Sequence, residues 1–525
     1  MFDNLRMFAR YAWGLHGYFR HTLTPEECHR RLTHQLKTRE ESFFHILQRG
    51  IYANPRSPYR KLLHHAGIEF ADVGRLVRQH GIEGALLELY EAGVYVSMDE
   101  FKGRRPILRP GLKCAVSPQD FDNPLSAKHY EGRTSGSRGV GTRLILDLDL
   151  LTHDAAYFHL LLTAFGLNER PIAIWREVPP VTAGINTLLR FARLGKPVDK
   201  WFSPSKLAIG PKALKFLIFT CYTVYASRIL RRPLPKPEYT PLAEAKKVAY
   251  WLAAKKAEGI PAVLDTPSST GVRTCIAAKE SGLDISGTFF CLGAEPYTMA
   301  KAQVVAETGS QAVSRYSMAE IGNIGNACAN PTDLDDIHLF TDKVAVIQCP
   351  KRLGAGEPSV GALVYTTILP ACPKLMLNVE SGDYGILEDR ACGCPIGELG
   401  FTKHLSRIRS YEKLTSGGVT FLGTELLRLV EEVLPARFGG HPTDYQLVEE
   451  EEGGLPKVNI LVTPRVGNVR EKEVIDAIFQ TLESYPGGAI MVNNWRQGRT
   501  LRVVREEPYT TASAKILPLH ILQKA

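Results

Sequence analysis

No run of apolar residues in this 525-residue chain is long enough to cross a bilayer. The longest, Phe216 to Ser227, has twelve residues where a spanning helix needs about twenty. It predicts a buried helix, although Arg228, Arg231 and Arg232 at its end would also suit contact with a membrane surface. Residues Met1 to His21 mix Asp3, Arg6 and Arg10 with aromatics and lack the unbroken apolar core of a signal peptide. Ten cysteines over this length make no disulfide framework, so the expectation is a reduced, cytoplasmic protein. Repeats and low-complexity tracts are missing too. The net charge of +9 is spread along the chain rather than clustered with aromatics, which argues against nucleic acid. Phosphate-bearing small molecules or an acidic protein partner remain.

What is present describes a globular chain of two or three domains, 44% hydrophobic and 23% charged. The first 110 residues read as mostly helical: Pro25-Glu26-Glu27 after Thr24 is a helix start, and Ile82 to Tyr90 has helical periodicity. From about 140 to 350, apolar runs such as Ile172-Ala173-Ile174-Trp175, Ala262-Val263-Leu264 and Val344-Ala345-Val346-Ile347 alternate with helix-like segments, the pattern of an α/β fold. The last hundred residues change style. An alternation at Val458, Ile460 and Val462, a helical pattern at Val474, Ile475, Ile478 and Leu482, and a strand from Leu501 to Val504 predict a small α+β domain. Glu449 to Glu452 before Gly453-Gly454 reads as a solvated hairpin tip. The expected division is 1–410, including the helical lead-in of 1–110, and 411–525.

The densest cluster of small and hydroxyl residues is Thr134-Ser135-Gly136-Ser137-Arg138-Gly139. Glycine lets backbone approach an anion while hydroxyls and N–H groups point inward, which suits a phosphate-wrapping loop. Gly136 and Gly141 have the outer spacing of a Walker loop, but Thr142 stands where its lysine would be, which excludes that class. Four further segments follow in order: Gly293-Ala294-Glu295-Pro296, Tyr316-Ser317-Met318-Ala319-Glu320, Ser381-Gly382-Asp383 and Ala512-Ser513-Ala514-Lys515.

Together the five segments resemble the adenylate-forming ligases, specifically the phenylacetate–CoA ligase branch. The resemblance implies a large multi-layer α/β adenylation domain and a small mobile C-terminal lid. It implies activation of an organic carboxylic acid by ATP as acyl-AMP, with pyrophosphate release, then transfer to a thiol, most simply coenzyme A. A carrier-protein or protein-cysteine thiol is the alternative acceptor, and a degenerate zinc-stabilised nucleotide-binding protein is the reading from another class. In the family's pattern Thr134, Ser135, Gly136, Ser137, Arg138 and Gly139 would hold the β- and γ-phosphates. Gly293, Ala294, Glu295 and Pro296 would border adenine, with Tyr316 stacked on it. Glu320 would bind Mg²⁺, Asp383 the ribose hydroxyls, and Arg409, found by counting back from Gly418, ribose and phosphate. Lys515 would meet the charge that grows on the α-phosphate and the carboxylate oxygen, and a domain swing would later withdraw it. The acid pocket is expected to include parts of Trp175 to Asn186 and of Asp265 to Gly271.

The chain departs from that pattern at several positions. Arg138 and Gly141 replace the usual threonine and proline, Ala319 replaces a hydroxyl residue with Ser317 nearby, Tyr411 beside Glu412 occupies the hinge, and Ala514 precedes the lysine. Separately, Cys392 and Cys394 are one residue apart, with Cys328 and His338 upstream. Three sulfurs and one imidazole make a tetrahedral set for structural zinc, and equally could be core residues or a redox pair. Some phenylacetate–CoA ligase relatives carry a cysteine/histidine zinc site in this part of the sequence.

Overall fold

The computed structural model describes every residue except 1, 134–142, 208–209, 211–212, 353–358, 411–413, 417–418, 422, 453–454, 485–491, 493–494, 497–499, 511–515, 517–518 and 522–525. The loop Thr134–Gly139, Gly141, Tyr411, Glu412, Ala514 and Lys515 lie outside the described residues.

A twelve-stranded sheet organises the main body. Six strands run parallel across it, in the order Pro237–Tyr239, Lys200–Ser203, Ile172–Trp175, Val263–Pro267, Phe289–Gly293 and Gln311–Met318. The other six continue antiparallel, from Gly322–Ala327 through Ile337–Leu339, Lys403–Ser410, Val379–Asp389 and Ser359–Thr367 to Val344–Arg352.

The parallel strands are short apolar runs because both of their faces are covered. Ile172 and Ile174 enter one core, shared with helix Leu148–Ala164. Ala173 and Trp175, pointing the other way, enter a second core with helices Ala245–Ala257 and Ser268–Glu280. Strand order reverses between Ile172–Trp175 and Val263–Pro267. At such a switch, crossovers leave to opposite sides and open a crevice beyond the strands' C-terminal ends.

The lead-in is helical as expected. Helix Pro25–Lys37 begins with a reciprocal cap: the Glu27 N–H donates to Thr24 Oγ1 at 3.2 Å, and the Thr24 N–H donates to Glu27 Oε2 at 3.0 Å. A four-stranded sheet, ordered Leu501–Val504, Leu455–Val462, Tyr445–Glu452 and Leu519–Ile521, forms near the C-terminus with helix Glu471–Glu483. Val474, Ile478 and Leu482 join Val458, Ile460 and Val462 in a separate core. Glu449 to Glu452, expected at a hairpin tip, instead belong to the strand, where they pair with Val458 to Leu455; Gly453 and Gly454 lie outside the described residues.

The helix predicted as buried is corrected. Leu214–Ile229 packs Phe219, Thr223 and Val224 inward but leaves Leu214, Ile218, Tyr225 and Ile229 exposed. An uncharged, mostly apolar run cannot reveal that only one side of a helix has a neighbour.

Candidate active site

A cavity of about 470 Å³ lies where the C-terminal ends of the parallel strands converge. Arg176 and Glu177 follow the first strand, Ala294 to Tyr297 follow another, and Ser314 to Ala319 close a third. Asp383 and Arg409 come from the antiparallel half. Five segments far apart in the sequence are thus brought to one wall.

Local backbone explains their approach. Ala294 leaves its strand in the left-handed region, φ +69°, which turns the following residues across the strand ends. Glu295 then caps helix Ser268–Glu280, accepting from the Ser269 N–H and hydroxyl, both at 2.8 Å. It also accepts from the Ile516 N–H at 3.2 Å. Tyr316 donates to Asp383 Oδ2 at 2.6 Å and accepts from the Tyr365 hydroxyl at 3.1 Å. Burial first, and the Asp383 charge second, push the Tyr316 hydroxyl well above the ordinary phenol range. Arg409 donates to Asp335 Oδ2 at 2.7 Å, which fixes the guanidinium at the cavity wall.

Glu320 stands apart from this group. It is buried, and its carboxylate pairs with Lys102 rather than lining the cavity. Burial works to raise its pKa, but Lys102 outweighs it and holds the carboxyl below its usual range. A Mg²⁺ at Glu320 would have to displace that ammonium, so the residues as arranged do not form a ready cation site. Of the two expected acid-pocket segments, Trp175 to Asn186 contributes Arg176, Glu177, Val181, Thr182, Ala183 and Asn186, but not Trp175 itself. Asp265 to Gly271 does not line the cavity; Ser269 is spent on Glu295 and Asp265 on arginines.

Those arginines were not found from the sequence. Asp265, fully buried, accepts from Arg176 Nε at 2.8 Å and also pairs with Arg315, and both guanidiniums line the cavity. Burial opposes its ionisation, yet Arg315 and Arg176 hold the carboxyl below its ordinary range. Asp154 pairs with Lys343 and also lies 3.8 Å from Arg190. Arg190 also donates to Thr187 Oγ1 at 2.8 Å, while its Nε is buried with no hydrogen-bond partner among the described residues. Each of these is a single charged letter in an otherwise ordinary element, with no spacing to announce it.

On the antiparallel side, Cys328, His338, Cys392 and His404 bring ligand atoms within 4.8 Å of one another. Cys394 Sγ is 3.0 Å from His338 Nε2. The four expected residues therefore meet, and His404 joins them because it is the cross-strand partner of His338. His338 Nδ1 lies 2.6 Å from the Phe401 carbonyl, which needs a donor, so Nε2 carries the lone pair. His404 Nδ1 faces Asp336 Oδ1 at 2.8 Å, and its buried Nε2 has no hydrogen-bond partner among the described residues. Oriented imidazoles beside thiols fit a structural Zn²⁺, which would tie strand Lys403–Ser410 to the segment around Cys392.

No family model and no curated protein matches the sequence. Solved structures do. 2-Hydroxyisobutyryl-CoA ligase in the postadenylation state, in complex with R3-HIB-AMP, superposes with a TM-score of 0.57 at 14% identity, over 93% of this chain and 89% of that one. The same enzyme with 2-HIB-AMP and CoA in the thioesterification state gives 0.46 at 15% identity, over 96% and 91%. The anthranilate CoA ligase AuaEII with anthranoyl-AMP gives 0.43 at 14%, over 74% and 64%. The chain therefore has the overall fold of 2-hydroxyisobutyryl-CoA ligase in its postadenylation state.

Proposed function

We propose that the protein activates a carboxylic acid with ATP and passes the acyl group to a thiol, most simply that of coenzyme A. The observation that carries this reading is the convergence of Ala294–Pro296, Tyr316, Asp383 and Arg409 on one cavity at the strand ends. In the first step a carboxylate oxygen attacks the α-phosphorus, the bond from that phosphorus to the bridging oxygen breaks, and pyrophosphate leaves with the electron pair. In the second, a thiol sulfur that has lost its proton attacks the acyl carbon and AMP leaves.

In this scheme Gly293 to Pro296 and Tyr316 form the adenine wall. Asp383, positioned by the hydrogen bond it accepts from Tyr316, accepts from the ribose hydroxyls. Arg409, steadied by Asp335, meets phosphate. Lys515 belongs to the segment whose next residue, Ile516, is anchored on Glu295. Residues 1–410 and 411–525 are the two bodies that would move between steps. Arg190 shares Asp154 with Lys343, and we assign it to an anionic oxygen of acid or phosphate. Zn²⁺ at the cysteine/histidine cluster would be structural.

The test is pyrophosphate release with ATP, Mg²⁺ and a panel of aromatic, aliphatic and hydroxy acids, without thiol, with acyl-AMP trapped by hydroxylamine. Acid-dependent release and hydroxamate are the expected result. Folded protein that binds ATP but is silent across the panel would favour the degenerate nucleotide-binding reading, to which the Lys102–Glu320 pair and Ala319 already lean.

A further inference from the structure

Helix Leu214–Ile229 turns one face outward that no described residue covers. Leu214, Ile218, Tyr225 and Ile229 on it are 51%, 49%, 66% and 64% exposed, and Cys221 is exposed between them. Spacings of three and four residues put them on one stripe, about 22 Å long at about 1.5 Å per residue. The opposite face is spoken for: Thr223 shares a 2.8 Å hydrogen bond with the Tyr11 hydroxyl, and Tyr222 packs edge-on against Phe8. Those contacts seat helix Phe2–Arg20 alongside, where Trp13 is 86% exposed.

The stretch of sequence that carries the stripe is basic. Between Asp199 and Glu238 the sequence has no acidic residue and eight basic ones: Lys200, Lys206, Lys212, Lys215, Arg228, Arg231, Arg232 and Lys236. Lys200 pairs with Glu238 and Lys215 with Glu131. Arg228, Arg231 and Lys236 are exposed and make no ion pair among the described residues.

We propose that this face seats the protein on an anionic lipid surface, with the apolar stripe entering the boundary between headgroups and acyl chains and the cations meeting lipid phosphate. Among the described residues no helix is long and apolar enough to cross a membrane, so the helix lies on the surface rather than spanning it. Charge complementarity selects this occupant. A second copy docked across a two-fold axis would bring the same cations together. The stripe offers directional bonds only through Tyr225 and Cys221, whereas a protein partner is held by about one hydrogen bond per 100–200 Å². None of these residues lines the cavity, so the inference stands or falls independently of acid activation.

The experiment is flotation of the full chain with vesicles of phosphatidylcholine alone and with about one-third phosphatidylglycerol, at low and high salt. The protein should float with the anionic vesicles at low salt. Ile218→Asp with Ile229→Asp, and separately Arg228→Glu with Arg231→Glu, should each weaken this roughly tenfold or more without lowering the melting temperature. Failure to float with either vesicle, or flotation that both variant pairs leave unchanged, overturns the proposal. Self-association abolished by the same substitutions, without flotation, assigns the face to a second copy. Binding of an acidic carrier protein without flotation assigns it to a protein partner, and both results overturn the lipid assignment.

Discussion

The backbone N–H of Ile516, the residue after Lys515 in the sequence, donates at 3.2 Å to the carboxylate of Glu295 in the wall proposed for adenine. Because Glu295 is already fixed by Ser269, it is an anchor rather than a passing contact. Glu295→Ala should slow acyl-AMP formation about tenfold while leaving transfer from preformed acyl-AMP to thiol near its original rate, the loss expected for one charge-assisted hydrogen bond. Lys515→Ala should lose far more of the first step, with ATP binding retained. Equal loss of both half-reactions in Glu295→Ala would remove the anchoring role.

Arg190→Met should raise the concentration of acid or ATP needed for half-maximal rate by ten- to a hundredfold, as expected for removing a hydrogen bond between charged groups. Comparing the two substrates identifies which anion it meets. An unchanged KM for both would show that Arg190 only buttresses Asp154.

Asp265→Asn removes the charge between Arg176 and Arg315 in a fully buried position and should cost about 3–5 kcal/mol. Because Asp265 is held below its unfolded pKa, its contribution is present above that value and lost as pH falls through the folded one. Denaturant melts of wild type and variant should therefore converge in acid.

Asp342 has the opposite sign. Burial raises its carboxyl to about 7, although the Tyr157 hydroxyl donates to it at 2.7 Å. A folded pKa above the unfolded one means the native state binds the extra proton between the two values, so stability falls as pH rises through that interval. Asp342→Asn should be more favourable at pH 8 than at pH 5, read as a difference in melting temperature that narrows in acid.

Metal analysis should find about one Zn²⁺ per chain, and its removal should lower the melting temperature. Asp336→Asn, which loosens His404 without touching a sulfur, should weaken zinc about ten- to a hundredfold. Protein free of zinc with an unchanged melting temperature would make the cluster a set of core cysteines.

The sequence alone determined the α/β architecture, the small α+β unit after it and the segments from which a site could be built. Apolar period is a local property, and Ile172–Trp175 and the 474–482 helix each carry it within a few residues. The tertiary structure decided the rest. It gave Glu320 to Lys102 and Asp265 to two arginines by bringing distant segments together, and gave His404 to His338 by sheet register, none of which any neighbouring letter announces. It also left the 214–229 helix half uncovered. Burial depends on what packs against a face, and an apolar run looks the same whether its outer side meets protein or solvent.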